Sequence, residues 1–373
     1  MATDALGLYV HIPFCIRKCN YCDFCSFAIS EASWKYSYID RILREIYSYK
    51  EKKIRLDSIF FGGGTPSLLT RSEFSKIYKA IEESFEILPD CEFTIEANPK
   101  TLDKEKLAEF KRCGVNRLSI GLQSIHENEM KILGRVHNYE DFLHSYKLAR
   151  ECGIENINVD LMYGIPEQTM ESFRATLDAV TALSPEHISL YGLILEEGTP
   201  FYEMQKRLNF PSEDSECDMY YFATDFLRRK GYSHYEISNY AKAGRECRHN
   251  LKYWRAEEYI GVGLAAYSYY NGYRFGNSSD RDVYLSQGEA KYEYLEKIEP
   301  KDEAYEYIML RLRLAEGFSL SDYNARFSRD FMAEKGIALE KYIKEGYLSV
   351  EGDRISLTER GFYISNTILA ELT

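Results

Sequence analysis

Short apolar runs that alternate with amphipathic segments restrict the fold of this chain more than any other feature of its sequence. Between the runs, apolar residues such as Ile39, Leu43 and Ile46 recur at the spacing of one helical face. Because strands and helices alternate, the strands should form a parallel sheet, and repeated right-handed βα units curl such a sheet into a barrel or partial barrel. Six runs are predicted to be its strands, at Leu8–Ile12, Ser58–Phe61, Phe93–Glu96, Leu118–Leu122, Ile157–Leu161 and Ile188–Leu193. We therefore predict an α/β fold with a partial (β/α)6 barrel.

Changes in composition divide the chain into three predicted parts. Residues 1–200 carry the alternation of strands and helices, residues 201–299 form a mixed, tyrosine-rich extension of the barrel, and residues 300–373 form a small, mainly helical C-terminal domain. In the last part, a helix over Glu334–Glu345 and a strand pair within Tyr347–Leu357 give a winged-helix-like layout. Such a layout does not by itself imply DNA binding.

The charge and hydropathy of the chain argue against several functional classes. A formal net charge of −12 argues against nucleic acid as a partner, because phosphate binding requires a basic surface. No segment approaches the roughly 18 uninterrupted apolar residues of a membrane span, and the start lacks the basic and apolar regions of a signal peptide. We therefore expect a cytoplasmic protein. In that reducing compartment, nine cysteines are expected to be thiols or metal ligands rather than disulfides.

Three closely spaced cysteines follow the first predicted strand. Cys15, Cys19 and Cys22 are separated by three and two residues, so three thiolates on one loop can bind a [4Fe–4S] cluster and leave its fourth iron without a protein ligand. That iron can bind the amino and carboxylate groups of S-adenosylmethionine (SAM), whose reductive cleavage releases a 5′-deoxyadenosyl radical. The alternative is a structural zinc site with Cys25 as the fourth ligand. The spacing and the position after the first strand favour the cluster.

Polar residues and glycines are concentrated at the carboxyl ends of the predicted strands, the edge at which βα barrels place their chemistry. The glycines at positions 62–64, followed by Thr65, end the second strand, and their backbone can approach a ligand closely. SAM carries several polar groups that need hydrogen-bond partners in a mostly apolar pocket. The side chains that can supply them are Glu96, Gln123, Arg135 and Asp160. Individually, each has the alternative of a surface ion pair or a loop cap.

These residues belong to a longer set of motifs. The motifs are Tyr9-Val-His-Ile-Pro-Phe-Cys, the three-cysteine array, Gly62-Gly-Gly-Thr-Pro, Glu96-Ala-Asn-Pro, Gly121-Leu-Gln-Ser, Gly134-Arg135, Asp160-Leu-Met-Tyr-Gly-Ile-Pro, Tyr191, Tyr235-Glu-Ile-Ser-Asn-Tyr and Cys247-Arg-His-Asn-Leu-Lys-Tyr-Trp. Together they resemble the radical SAM oxygen-independent coproporphyrinogen III oxidase family, and within it the heme-chaperone branch, the HemW-like proteins. The resemblance implies a radical SAM barrel with the cluster on the three cysteines. Around SAM it places Tyr9, Gly63, Gly64, Thr65, Glu96, Gln123, Arg135 and Asp160.

Two features of the sequence separate the branches of this family. The decarboxylating oxidases carry a further cysteine two residues after the third ligand, where this chain has Phe24, and a long N-terminal extension, where only fourteen residues precede Cys15. Both features favour the chaperone branch, so the resemblance implies a protein that binds heme and passes it to an acceptor protein. Oxidative decarboxylation of coproporphyrinogen III to protoporphyrinogen IX, or another radical SAM reaction, is the enzymatic alternative. A small electron-donor protein is a further expected partner, and a homodimer is left open.

The motif His249-Asn250-x-x-Tyr253-Trp254 supplies the residue from which we expect heme contact. We nominate His249, because a neutral imidazole is the commonest axial ligand that proteins give to heme iron. Its alternative is a hydrogen-bonded structural histidine. Tyr267 stands where similar proteins commonly have a histidine, and a phenolate can also bind heme iron. The roles of Tyr267 and Cys25 are left open.

Overall fold

The computed structural model describes residues 5–286 and 292–373. Its strands are numbered here in chain order. They are β1 Ala5–Ile12, β2 Phe14–Cys15, β3 Phe27–Ala28, β4 Arg55–Gly63, β5 Glu86–Ala97, β6 Arg117–Gln123, β7 Asn156–Tyr163, β8 His187–Gly192, β9 Ser233–Glu236, β10 Asn239–Ala241, β11 Tyr259–Val262, β12 Tyr267–Tyr270, β13 Tyr273–Gly276, β14 Tyr294–Lys297, β15 Phe318–Ser319, β16 Leu348–Glu351 and β17 Arg354–Leu357.

The helices follow the strands of the barrel and then dominate the C-terminal part. Several begin at a residue whose side chain caps the first turn: Thr70 and Glu73 form a reciprocal capping box at one helix, and Asn138 and Asp141 form another. The helices are α1 Lys35–Tyr47, α2 Arg71–Ser84, α3 Lys104–Arg112, α4 Glu127–Ile132, α5 Tyr139–Glu151, α6 Met170–Ala182, α7 Pro200–Met204, α8 Glu213–Arg229, α9 Arg248–Trp254, α10 Arg281–Ser286, α11 Pro300–Arg311, α12 Leu320–Phe327, α13 Phe331–Lys344, α14 Glu359–Tyr363 and α15 Ser365–Leu372.

One large sheet forms the centre of the molecule. Its strand order is β14-β13-β12-β11-β1-β4-β5-β6-β7-β8-β10-β9. The seven strands from β11 to β8 in this order are parallel, and the strands at both ends of the sheet are antiparallel to their neighbours. The parallel strands carry their carboxyl ends to one edge, and the sheet forms the partial barrel that the sequence predicts.

The six predicted strands all overlap strands of this parallel run, and most extend further than predicted. The prediction missed a seventh parallel strand, β11, which pairs with β1. Its sequence, Tyr259-Ile-Gly-Val, is only four residues long and contains a glycine, so it carries too little pattern to be recognised as a buried strand. The barrel is therefore one parallel strand wider than the sequence indicates.

The two faces of the barrel strands differ in polarity. Side chains such as Phe61 and Phe93 face the surrounding helices, where they pack against Phe74 of α2 in an apolar core. Alternate residues of the same strands, such as Ser58 and Glu96, face the inside of the barrel. Side chains from neighbouring barrel strands pack the interior of such folds in layers, and here many of them are polar. The candidate site is built from these polar side chains inside the barrel.

The C-terminal helices surround an apolar cluster of their own. Tyr307, Phe318, Tyr323 and Phe331 are buried together there, and β15, β17 and β16 form a small antiparallel sheet beside them. The predicted helix over Glu334–Glu345 is part of α13, and the predicted strand pair is β16 and β17. The mainly helical C-terminal region is thus confirmed, whereas the domain boundaries at residues 200 and 300 stay predictions.

Within the described parts of the chain, no helix combines the length and the apolar character that crossing a membrane requires.

Candidate functional site

A cavity of about 390 Å³ opens at the carboxyl ends of the parallel strands. We call it the upper cavity. The loop after β1 and the ends of β4, β5, β6 and β7 supply its walls, because parallel strands deliver their final residues to one edge. The residues that the sequence predicts for the site and that line this cavity are Cys15, Cys19, Cys22, Gly63, Gly64, Glu96, Gln123, Arg135 and Asp160. The structure therefore brings together most of the side chains that the sequence selects.

The three cysteines lie on a loop that is tied at its base. The short strand β2, which ends at Cys15, pairs with β3, so the chain returns to where the loop began. Asn20, in the middle of the loop, is held from outside, since its backbone N–H donates to Leu133 O at 3.0 Å and its side chain donates to Ile132 O at 2.8 Å. Cys19 and Cys22 are half-buried on this anchored loop, and Cys15 is buried.

The three thiols differ in their polar neighbours. Thr65 Oγ1 lies 3.7 Å from Cys15 Sγ, and Arg135 Nη1 lies 3.5 Å from Cys19 Sγ, both in position to donate. Burial raises the pKa of the Cys15 thiol and raises that of Cys22 to about 11. Binding of a metal to these thiols must therefore release protons, and the nearby donors favour the thiolate form that ligation requires.

The arrangement fits a cluster better than a single metal ion. Among the described residues, no three Cys, His, Asp or Glu side chains lie close enough together to hold one ion. In a [4Fe–4S] cluster each thiolate binds a different iron, so the sulfurs surround the group instead of converging on one point. Cys25 does not line the upper cavity with the other three; its thiol lies 3.8 Å from Ser279 O on the far side of the loop. This separation favours the three-thiolate cluster over the four-ligand zinc site.

The glycines after β4 let the backbone form one wall of the upper cavity. Gly63 has a φ of 107°, and a Cβ at this position would lie 2.4 Å from the ring of His11. At Gly64 a Cβ would lie 2.8 Å from Phe14 O, in the chain that leads to Cys15. The absence of side chains there allows the end of β4 to pass directly beside the cysteine loop.

Two carboxyl groups face the upper cavity from β5 and β7, the strands on either side of β6. Glu96 accepts the backbone N–H of Gly63 at 3.2 Å, and Asp160 accepts Asn158 Nδ2 at 2.7 Å and Ser119 Oγ at 3.2 Å. Burial, followed by the charge of Asp160, raises the pKa of Glu96 to about 8. Burial also raises the pKa of Asp160, and the hydrogen bonds from Asn158 and Ser119 oppose that rise. The pair gives the cavity acceptors for cationic groups, such as the ammonium and sulfonium groups of SAM.

Arg135 is fixed across the cavity by a residue that the sequence analysis did not select. Its Nη2 donates to Asn98 Oδ1 and, at 2.7 Å, to Gly121 O. Asn98 in turn donates to Thr65 Oγ1 at 2.7 Å. Asn98 therefore links the arginine to the threonine beside Cys15. One feature of the sequence indicates that Asn98 belongs to the site. It is two residues after Glu96, so its side chain is expected on the same side of the chain.

Gln123 holds an uncommon backbone conformation at the end of β6. Its φ is 74°, in the left-handed region, although it is not a glycine. Its side-chain Oε1 is buried and has no hydrogen-bond partner among the described residues. A buried acceptor without a partner is unfavourable unless a ligand supplies the donor, so this atom fits a polar group of a bound molecule.

The comparisons with known proteins agree with this geometry. Residues 9–180 match the radical SAM superfamily, and residues 298–364 match the HemN C-terminal domain. The heme chaperone HemW of Lactococcus lactis is 34% identical over 363 residues, which cover 96% of this chain and 95% of that protein. The chain belongs to the HemW family of radical SAM proteins. The heme chaperone HemW of Bacillus subtilis is likewise 34% identical, with 96% of this chain and 97% of that protein covered.

The HemW family shares its fold with an enzyme of known structure. Coproporphyrinogen III oxidase (HemN) from Escherichia coli superimposes with a TM-score of 0.87 over 99% of this chain and 90% of that one. The two sequences are 24% identical, so the likeness shows the fold. Membership of the radical SAM superfamily implies a [4Fe–4S] cluster and SAM, and the thiols, the glycine wall and the buried acceptors of the upper cavity fit both.

In this member of the HemW family, Tyr9 lies below the upper cavity. It lines a smaller space of about 180 Å³ inside the barrel, which we call the floor cavity. Its phenol oxygen is 3.0 Å from His11 Nδ1, and His11 Nε2 is 2.8 Å from Cys25 O, so a hydrogen-bonded chain leads from Tyr9 to the cysteine loop. The floor cavity is bounded by Tyr9, Phe60, Glu96, Arg117, Ser119, Asn158, Asp160, Ser189, Tyr191, His249, Asn250 and Tyr253. A contact of Tyr9 with SAM stays a prediction.

His249, the predicted heme contact of this HemW-like chain, is buried at the bottom of the barrel. Its Nδ1 is 3.0 Å from Ser58 Oγ, and its Nε2 is 2.8 Å from Tyr253 OH. The ring also stacks on Phe60 with centroids 5.3 Å apart. Burial, followed by the charges of Lys252 and Arg117, lowers the pKa of His249 to about 3, so the ring is neutral. Both ring nitrogens are hydrogen-bonded within the protein, as expected for the alternative of a structural histidine. A role of His249 as a heme ligand stays a prediction.

Removing either buried carboxyl group is expected to weaken SAM binding to the clustered HemW-like protein. We expect Glu96→Ala or Asp160→Ala to cost about 1–3 kcal/mol of binding free energy, the usual scale for losing a buried polar partner. Anaerobic calorimetry with SAM measures the effect. Glu171→Ala, at an exposed glutamate in the first turn of α6, is the matched control and should leave the affinity unchanged. Unchanged affinity in both cavity variants would show that SAM binds elsewhere.

Proposed function

We propose that this protein is a heme chaperone: it binds heme and passes it to an acceptor protein, and it carries a [4Fe–4S] cluster and SAM. The observation that carries the proposal is the 34% identity, over nearly the whole of both chains, to proteins named heme chaperone HemW. Similarity that extends from the cysteine loop to the C-terminal helices indicates a shared task of the whole chain and not only a shared barrel.

The residues of the upper cavity have assignable tasks in this proposal. Cys15, Cys19 and Cys22 hold the cluster, and SAM lies beside it in the upper cavity, against the wall that Gly63 and Gly64 form. When bound, the cluster and SAM supply one-electron chemistry. Glu96 and Asp160 orient the cationic part of SAM, and Gln123 Oε1 accepts a further hydrogen bond.

The residue that stands at the position of the extra oxidase cysteine supports the chaperone over the oxidase. Phe24 is 64% exposed at the mouth of the upper cavity. Its side chain has no sulfur with which to bind metal, and it offers an apolar surface to an incoming planar ligand. An exposed aromatic ring at the entrance suits a cargo that must enter and leave.

The space beside Phe24 offers a place for heme. A side cavity of about 370 Å³ is bounded by Tyr9, His11, Phe24, Cys25, Gly63, Glu96, Tyr253, Tyr259, Ala265, Ala266 and Tyr267. The phenol of Tyr267 is half exposed there, and the Cys25 thiol is half-buried. Both groups can bind heme iron. His249, which the sequence nominates, would first have to give up its contact with Ser58 or Tyr253.

A heme titration tests the proposal and separates the three candidate ligands. The purified protein is expected to bind about one heme per chain, seen as a Soret band, because one such cavity adjoins the cluster loop. His249→Ala, Tyr267→Phe and Cys25→Ser are compared in parallel, and the variant that shifts the band identifies the ligand. Tyr273→Phe, at another exposed tyrosine, is the matched control.

The same preparation distinguishes the chaperone from the oxidase. The anaerobically reconstituted protein is expected to form no protoporphyrinogen IX from coproporphyrinogen III when SAM and a reductant are present. Decarboxylation requires each propionate carbon to be held close to the radical, and a displacement of about 1 Å costs much of the rate. Steady formation of protoporphyrinogen IX would contradict the chaperone proposal, and so would the absence of heme binding.

We further propose the cytoplasm as the location and a small electron-donor protein as a partner. All nine cysteines are unpaired in the structure, as a reducing compartment favours. Arg17 and Lys18 are exposed on the cysteine loop, where they give an otherwise acidic chain a local positive surface for an acidic donor. A homodimer stays a prediction.

A further inference from the structure

A buried arginine at the floor of the barrel has no direct partner among the described residues. Arg117 begins β6, is 2% exposed and lines the floor cavity. Nowhere in the described parts of the chain does its guanidinium find a hydrogen bond or an ion pair, and its Nε is buried and unsatisfied. Two other arginines differ: Arg41, which is equally buried, pairs with Glu45, and the half-buried Arg135 donates to Gly121 O and Asn98.

The acidic groups near Arg117 are committed to other donors. Glu92 accepts the backbone N–H groups of Arg248 and His249, each at 3.1 Å. Asp160 is held by Asn158 and Ser119 in the hydrogen bonds described above. Their charges still act at a distance: burial lowers the pKa of Arg117, but nearby acidic groups, Glu92 and Asp160 among them, raise it above its usual value. The guanidinium therefore stays charged in a buried place, which is costly without a direct counterion.

A second unsatisfied group lies beside the arginine. Thr94 is the register partner of Arg117 on β5, and its buried hydroxyl makes no hydrogen bond with residues 5–286 or 292–373. Asn250, on α9, brings a side-chain amide to the same cavity. Arg117 and Asn250 thus present hydrogen-bond donors to one polar cavity, with Thr94 on the strand beside Arg117, and together they make a built site for an anion.

We propose that the floor cavity is a carboxylate-binding subsite in which Arg117 pairs with the anion. Its volume of about 180 Å³ suits a carboxylate on a short aliphatic arm; for scale, a cavity of about 150 Å³ admits benzene. The guanidinium fork matches a carboxylate in a bidentate arrangement. The floor and upper cavities share Glu96, Ser119, Asp160 and Tyr191, so an arm of a larger molecule above can reach down.

Two sources can supply this carboxylate. One is a propionate arm of a tetrapyrrole, which rests on the proposed heme-binding function. The other is a free small carboxylic acid, which does not depend on it. In both cases the anion supplies the direct counterion that Arg117 lacks within the described part of the chain.

Calorimetric titration with sodium propionate, at constant ionic strength, tests the subsite directly. Wild type is expected to bind propionate, and Arg117→Gln is expected to bind it at least tenfold more weakly. Arg174→Gln, at an exposed arginine on α6 that pairs with Asp178, is the matched control and should bind as wild type does. If Arg117→Gln fails to fold, Asn250→Asp replaces it, because a fixed carboxylate beside Arg117 should exclude the ligand.

The outcomes separate the subsite from the heme proposal. Loss of propionate binding in the cavity variants alone supports the subsite. Failure of wild type to bind propionate, or equal affinity in wild type, Arg117→Gln and Asn250→Asp, overturns it. Neither result depends on whether the protein binds heme.

A second titration identifies the source. Heme is compared with heme dimethyl ester, whose propionates are blocked. If the tetrapyrrole supplies the carboxylate, wild type should prefer heme at least tenfold and Arg117→Gln should lose this preference. If heme affinity is the same in wild type and Arg117→Gln while propionate binding is lost, the subsite takes a free carboxylate.

Discussion

Replacing Cys15, Cys19 or Cys22 by alanine is expected to abolish the broad visible absorption of the anaerobically reconstituted protein. Each replacement removes one of only three thiolates, and two protein ligands cannot hold a cluster whose fourth iron is left for SAM. All three thiols line the upper cavity, so no other thiol of that cavity can take over the vacant position. Ultraviolet–visible spectra with iron and sulfide analysis measure the loss, which should approach the background of protein without added iron.

Cys25→Ala is the matched control for this experiment, since it removes a thiol from the same loop. It should leave iron content and absorption unchanged, because Cys25 faces Ser279 O and not the upper cavity. Loss of the spectrum in Cys25→Ala as well, or zinc without iron in the wild type, would contradict the three-thiolate cluster and restore the zinc alternative.

Replacing Gly63 by alanine is expected to destabilise the chain by roughly 2–4 kcal/mol and to abolish measurable SAM binding. The φ of 107° is unfavourable for any residue with a Cβ, and the new methyl group would lie 2.4 Å from the His11 ring. His11 cannot move aside freely, because hydrogen bonds hold its ring to Tyr9 and to the backbone of Cys25. Urea unfolding of the cluster-free chain measures the stability, and calorimetry on the reconstituted protein measures SAM binding.

Gly198→Ala separates the steric clash from the cost of the backbone conformation. Gly198 also has a positive φ, of 84°, but nothing lies within 4 Å of the position that a Cβ would take. This control should cost about 1–2 kcal/mol and should leave SAM binding intact. Equal losses in the two variants would show that the contact with His11 contributes nothing.

The barrel and most of its rim could be predicted because they depend on patterns that are local in sequence. A buried parallel strand appears as a short apolar run, and the residue that ends it comes to the shared edge wherever the strand lies in the sheet. Cys15, Glu96, Gln123 and Asp160 were selected in this way, and all four line the upper cavity. The spacing of Cys15, Cys19 and Cys22 additionally indicated an iron–sulfur cluster.

The missed features depend on contacts between distant parts of the chain. Asn98 is part of the site because Arg135, on a loop 37 residues further along the chain, donates to it. No periodic pattern in the sequence predicts a contact over that separation. Arg117 precedes the predicted run at Leu118, and only the packed barrel shows that its guanidinium is buried without a direct partner in the parts of the chain that the structure describes. The contact of the His249 ring with Ser58 joins α9 to β4, residues 191 positions apart, so the sequence alone does not show it, and the role of His249 as a heme ligand stays a prediction.

The position of β1 between β4 and β11 has a consequence for how the chain assembles during synthesis. Residues 5–12 pair with residues 55–63 on one side and with Tyr259–Val262 on the other. Because β1 is synthesised long before β11, it keeps one open edge until Tyr259–Val262 has been made, and open edges invite pairing with other chains. A nascent chain stalled near residue 200 would expose this edge directly before the cysteine loop, so cluster insertion is best timed after β11 has docked.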